Sequence, residues 1–204
     1  MNAKKLMAGL LVSCLLMSPA TAFADDTSTA SAAESTAPKA VEMSWEDIKS
    51  DDSYEELIDE GNFETFDTIG VMMWIPDSLD KVELTEDDTK AGFVGYFENV
   101  DEKRAVGVTL SKVDSKTTKS LSKLLAGIKG VSDVGSAKVN GFPAVTYKMN
   151  ERDTTVISFL TEQGRCMEFA FSPASNEDFA TLIRVMMASI QNAPRDEEAS
   201  SSAS

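Results

Sequence analysis

The chain has 204 residues, no histidine, two cysteines and a formal net charge of −15. Without histidine, imidazole acid–base catalysis, His-containing triads and His-ligated zinc are excluded. The acidity repels nucleic acid and anionic lipid, so neither is an expected partner.

Lys4 and Lys5 precede an apolar run from Leu6 to Met17, Pro19 ends it, and Ala22-Phe23-Ala24 places small residues where a signal peptidase cuts. That order describes a secretory signal over residues 1–24. The run is shorter than the roughly 20 residues that span a bilayer, and no later run is longer, so no transmembrane segment is expected. Leu11-Val12-Ser13-Cys14 resembles a bacterial lipoprotein box, which would make an acylated Cys14 the first residue and tether the protein by lipid. Leu15, Leu16 and Met17 keep the run apolar past that cysteine. Cleavage after Ala24 is therefore the expected route, with the lipid anchor at Cys14 as the alternative.

Loss of the two signal lysines takes the charge from −15 to −17. Eleven acids stand against Lys49 alone between Glu42 and Asp67, whereas acids and bases balance from Thr89 onward. A solvated acidic helix explains that asymmetry, and a cation or a basic partner would also suit it. After cleavage Cys166 is the only thiol, so an intramolecular disulfide and a paired-cysteine zinc site are excluded too. Its setting, "GRCMEFAFS", reads as a strand with a buried, inert thiol.

Residues 25–43 are rich in Ser, Thr and Ala and read as a flexible linker, and residues 193–204 read as a disordered tail. One domain is expected over 44–192. In "SWEDIKSDDSYEELIDEG", Ser44 and Asp47 predict a capped helix that Ser50 to Ser53 divides and Gly61 stops. "FETFDTIGVMMWIP" reads as one strand ended by Pro76, followed by a polar connection to about Lys90. "GFVGYFEN" and "RAVGVTLSKV" flank a turn and predict an antiparallel pair. "DSKTTKSLSKLLAGIKG" predicts an amphipathic helix with Leu121, Leu124, Leu125 and Ile128 on its apolar stripe and Gly130 closing it. Turns at Asn140-Gly141, Glu151-Arg152 and Gln163-Gly164 then divide a meander of three or four strands. Ser175 and Asp178 start a last helix in which Phe179, Leu182, Ile183, Met186 and Ile190 recur at helical spacing. The fold class is α+β: an antiparallel sheet flanked by helices, in the order α-β-ββ-α-βββ(β)-α.

A strand ending Ile75-Pro76, a hairpin, a helix, "VNGFPAVTY", a meander and a closing helix ending Ser189-Ile190 together resemble the PsbP-like fold family. The resemblance spans about residues 66–192. That family includes photosystem extrinsic proteins, a nuclear-transport factor and bacterial envelope lipoproteins, all α/β/α sandwiches around an antiparallel sheet. The resemblance implies a binding or assembly accessory without catalysis. Any histidine-based metal role in relatives does not transfer, because this chain has no histidine.

Three motifs bear on chemistry. Ser120-Leu121-Ser122-Lys123 matches S-x-x-K, in which a lysine one turn on takes the proton of a nucleophilic serine. It lacks the S-D-N and K-T-G partners of penicillin-recognising enzymes, and a solvated helix face is the simpler reading. Asp77, Asp80, Glu83, Glu86, Asp87 and Asp88 crowd one loop, as in calcium sites, but without the EF-hand spacing or glycine. Trp45, Met72, Met73 and Trp74 would either line an apolar cleft or form core, and alternation along the strand favours core. The sequence thus predicts an exported, non-enzymatic binding or accessory protein of the bacterial envelope or extracellular space, with no cofactor. Its partner, a protein or small ligand, is not specified. The alternatives are a serine hydrolase using Ser120 and Lys123, and a calcium-dependent binding module.

Overall fold

The computed structural model describes residues 40–194. The predicted signal sequence, Cys14, and most of the predicted linker and tail lie outside the described residues.

Eleven strands and five α-helices build the described part. In chain order these are β1 (Val41–Met43), α1 (Trp45–Lys49), α2 (Glu55–Asp59), β2 (Gly61–Phe66), β3 (Val71–Pro76), β4 (Asp80–Lys81), α3 (Glu86–Lys90), β5 (Phe93–Asn99) and β6 (Arg104–Lys112). They continue as α4 (Thr118–Ala126), β7 (Val131–Val139), β8 (Phe142–Met149), β9 (Thr154–Leu160), β10 (Arg165–Ser172), α5 (Glu177–Ser189) and β11 (Gln191–Asn192). Eight strands form one sheet in the order β1-β7-β8-β9-β10-β6-β5-β4, and β11-β3-β2 form a second, smaller one. This is the expected α+β class, a large sheet flanked by helices.

Alternation along β10 shows how the layers arise, because successive side chains leave a strand on opposite faces. Phe169 and Phe171 join a core with α1, α5 and the small sheet. Cys166 and Ala170 join another with Leu121 and Leu125 of α4. On the α5 face, Phe169 meets Phe66 at 6.2 Å and Phe159 at 6.0 Å between ring centres, both near-perpendicular, and Phe66 also meets Phe97. The Phe66 ring lies so close to β5 that a side-chain carbon at Gly95 would collide with it.

The helices follow the predicted stripes. Phe179, Leu182, Ile183, Met186 and Ile190 are all buried along or just after α5, and Leu121 and Leu125 are buried in α4. Leu124, expected on the same stripe, is 42 % exposed. The helix ends at Ala126 with Gly127 as its cap, not at Gly130, so Ile128 falls beyond it. Asn176, rather than Ser175, caps α5 by accepting from the Phe179 amide at 2.8 Å.

The front of the domain departs most from the sequence reading. "FETFDTIGVMMWIP" is a hairpin, not one strand: β2 and β3 pair antiparallel around a turn that Gly70 completes at φ +64°. Val41–Met43, placed in the linker by the sequence, form a strand parallel to β7 at the sheet edge. Glu60, not Gly61, ends α2, and Gly61 opens β2. The connection before Lys90 contains α3, started by a reciprocal capping box between Thr85 and Asp88. The predicted β5–β6 pair and the Asn140-Gly141 turn form as expected, the latter with φ of 46° and 89°, the left-handed pair of a tight hairpin.

Asn140 has a second task that spacing could not show. Its Oδ1 accepts from the Trp45 amide at 2.8 Å, and its Nδ2 donates to the carbonyls of Ala188 and Ile190 at 2.8 and 2.9 Å. Its backbone N–H also donates to the Met43 carbonyl. Ser44 therefore makes no side-chain cap for α1, because an amide from a distant hairpin does so.

Candidate functional site

An open groove of about 860 Å³ lies where the start of α5 meets the end of α2, the turn after β3 and the start of β6. Each wall has a local cause. Pro76 ends β3, and the turn is held by Asp77 N donating to Glu60 O at 2.8 Å and Asn62 Nδ2 donating to Asp77 Oδ1 at 2.9 Å. Asn99 Nδ2, from the tip of β5, donates to Ser78 O at 3.0 Å. Asn176 fixes the first turn of α5, which carries Glu177 and Asp178 where acids complement the helix dipole.

Five carboxylates line the groove: Asp59, Glu60, Asp77, Glu177 and Asp178. Leu57, Pro76 and Leu182 add apolar surface. The one basic lining residue, Arg104, is mostly buried, lies 5.4 Å from the centre of the Phe179 ring, and pairs through Nη1 with Glu102. Its Nε has no hydrogen-bond partner. One guanidinium already shared with Glu102 leaves the groove strongly negative over an apolar lining.

The residues singled out by the sequence do not assemble a catalytic centre. Ser120 is committed to capping α4: its hydroxyl donates to Thr117 O at 2.8 Å and accepts from Thr117 N at 3.2 Å, while its amide donates to Thr117 Oγ1. Lys123 is exposed one turn on, and neither residue lines this groove. The acidic loop is dispersed. Asp77 is engaged by Asn62, Asp88 by Thr85, and Glu86 and Asp87 lie near Lys90. Among the described residues no three His, Cys, Asp or Glu side chains are placed to hold a metal ion. Trp74 is core: its Nε1 donates to Ile58 O at 3.1 Å and its amide to Ser189 Oγ at 2.9 Å. Trp45 packs edge-on against Phe63 at 5.3 Å, and it shares one buried cluster with Met73 and Trp74.

Cys166 is buried, and burial pushes its thiol well above the usual range, the state of an unreactive cysteine. Glu168 on the same face of β10 was not singled out in the sequence. It is fully buried, which raises its carboxyl above the ordinary value, while hydrogen bonds from Tyr147 OH at 2.7 Å and Ser158 Oγ at 3.2 Å to Oε1 act in the opposite direction. The available signal was a lone acid on the same strand face as Cys166 and Ala170.

No protein-family model matches the chain, and no curated protein matches it. The structure is similar to the solution structure of cyanobacterial PsbP (CyanoP) from Synechocystis sp. PCC 6803, with 14 % identity and a TM-score of 0.46. That likeness covers 65 % of this chain and 92 % of the other. It is a likeness to the family that the element order resembles, and it assigns no role to this chain. Among the described residues no helix is long and apolar enough to cross a membrane.

The groove was only partly legible in the sequence. Asp77 was noted as part of a loop and Asp59 and Glu60 as part of the acidic front half. Glu177 and Asp178 lie a hundred or more residues further on, and only the docking of α5 beside the β3 turn brings the two acidic groups together.

Proposed function

We propose that this is an exported binding or accessory protein without catalytic chemistry, acting through the acidic groove at the start of α5. The carrying observation is the groove itself: five carboxylates around one half-buried, already paired arginine, over apolar surface. Such a surface suits a partner carrying lysine or arginine beside apolar side chains, and its field would speed their encounter. The Lys4–Lys5, apolar-run and Ala22-Phe23-Ala24 pattern supports export, and the capping role of Ser120 supports a non-catalytic reading.

Calorimetric titration of the mature chain with short Lys/Leu peptides, and with matched Glu/Leu peptides, tests this. Binding of the lysine set that weakens with salt and is lost in Glu177→Lys/Asp178→Lys supports the proposal. Equal binding of both sets, or of neither, overturns it. Native mass spectrometry of the protein from its host adds the route of export: a chain starting at Asp25 means release, and one starting at acylated Cys14 means a lipid tether.

A further inference from the structure

The lysines are as unevenly placed as the acids. Between Lys112 and Lys129 five lysines stand against Asp114 alone, and α4 occupies the middle of that stretch. Leu121 and Leu125 turn inward into the core of the large sheet. Lys119, Lys123 and Leu124 are left exposed on the outer side of the helix. Lys119 and Lys123 stand one turn apart, about 6 Å along the axis, with Leu124 beside them. Among the described residues none of the five lysines is paired with a carboxylate.

This face is the counterpart of the groove at the start of α5. The groove presents Asp59, Glu60, Asp77, Glu177 and Asp178 over apolar surface, and α4 presents lysines beside a leucine. The two do not meet within one molecule, because α4 packs on one face of the large sheet and α5 on the other. Copies of the chain share a net negative charge and repel at a distance. Contact between them is therefore favourable only where opposite charges are set against each other, as these two surfaces allow.

We propose that the groove takes a second copy of this chain, with the Lys119–Lys123–Leu124 face of one molecule seated in the acidic groove of the next. The lysines stand among the carboxylates, and Leu124 lies against the apolar lining. The inference rests on the groove reading above and names its occupant. Since helix and groove lie on opposite faces, each pair keeps a free helix at one end and a free groove at the other. The contact is head-to-tail, and association continues past the dimer.

Sedimentation velocity of the protein purified from its host, over a range of concentrations, tests this. One helix face makes a small contact, so association is expected at about 0.1–1 mM. Lys119→Glu/Lys123→Glu should weaken it about tenfold or more. Glu177→Lys/Asp178→Lys should do the same, although it lowers the negative charge and would strengthen any unspecific contact. An equal mixture of the two variants should associate again, because the first keeps the groove and the second keeps the helix. Leu124→Ser, at an exposed position, should weaken association about fivefold. A chain that stays monomeric to about 1 mM while Lys/Leu peptides still bind overturns this inference and leaves the groove reading standing. A chain that takes neither peptide nor second copy overturns both. Association that stops at the dimer, survives either pair of substitutions or is not restored by mixing also overturns the proposal.

Discussion

The two faces of the large sheet are built on different terms. The α5 face is an aromatic and aliphatic core, with Phe66, Phe97, Phe159 and Phe169 meeting edge-to-face and Phe179 fully buried against them. On the α4 face, Glu168 sits between Ser158 and Thr109 in register across β9, β10 and β6, with Cys166 opposite Ser111 one row away. The hydroxyls of Thr109 and Ser111 have no hydrogen-bond partner. Burial without partners costs free energy on that side, so stability rests mainly on the α5 face, and the α4 face is where solution conditions are felt.

The most severe way to break this contrast is Phe169→Ala, which removes a fully buried ring meeting two others. About 3–5 kcal/mol of stability should be lost, read as a lower denaturant midpoint with an unchanged slope. A loss near 1 kcal/mol would mean that the α5 face is not the principal core. Asn140→Ala leaves the ring cluster intact but removes three side-chain hydrogen bonds and a residue suited to left-handed backbone. A cost of about 2–3 kcal/mol is expected, with early loss of amide protection at Trp45, whose N–H donates to the Asn140 side chain.

Glu168→Gln probes the other face. With its carboxyl held above the usual 4.5, the folded chain keeps a proton that the unfolded chain releases. Stability from this group is therefore greatest below about pH 4.5 and falls as pH rises toward the folded value. The glutamine variant should show a flatter stability–pH profile than wild type above pH 4.5, measured by urea unfolding at several pH values. Parallel profiles would show that Glu168 is solvated. The smallest effect belongs to Ser120→Ala, which removes half of the α4 capping box and should cost about 0.5–1 kcal/mol. Neither wild type nor this variant should label with a fluorescent penicillin. Labelling of wild type alone would restore the hydrolase reading.

Where the pattern is local, the sequence discloses it. The α5 stripe, the β5–β6 pair and the Asn140-Gly141 turn each rest on a short-range period or a turn dipeptide, and all three form. The β2–β3 hairpin was hidden because Ile69 sits inside its turn and keeps the segment reading as one apolar strand. Strand β1 was hidden for another reason: three residues with Val41 exposed carry no period of their own, and they pair only because β7 presents an edge. Asn140 shows both limits at once. Its backbone role as a turn residue was readable, whereas its side-chain role depends on three segments that approach it only in the finished fold. The acidic groove is likewise a product of tertiary placement, that of α5 beside the β3 turn.

The attachment of β1 has a mechanical consequence. Any tension applied from upstream, as by a surface tether, enters at Val41 and is carried by a three-residue parallel ladder, then by the Asn140 side chain at Trp45. That same side chain holds the last turn of α5 and the approach to β11. A pull on the front of the chain therefore reaches, through the Asn140 side chain among other contacts, the last turn of α5 and the approach to β11.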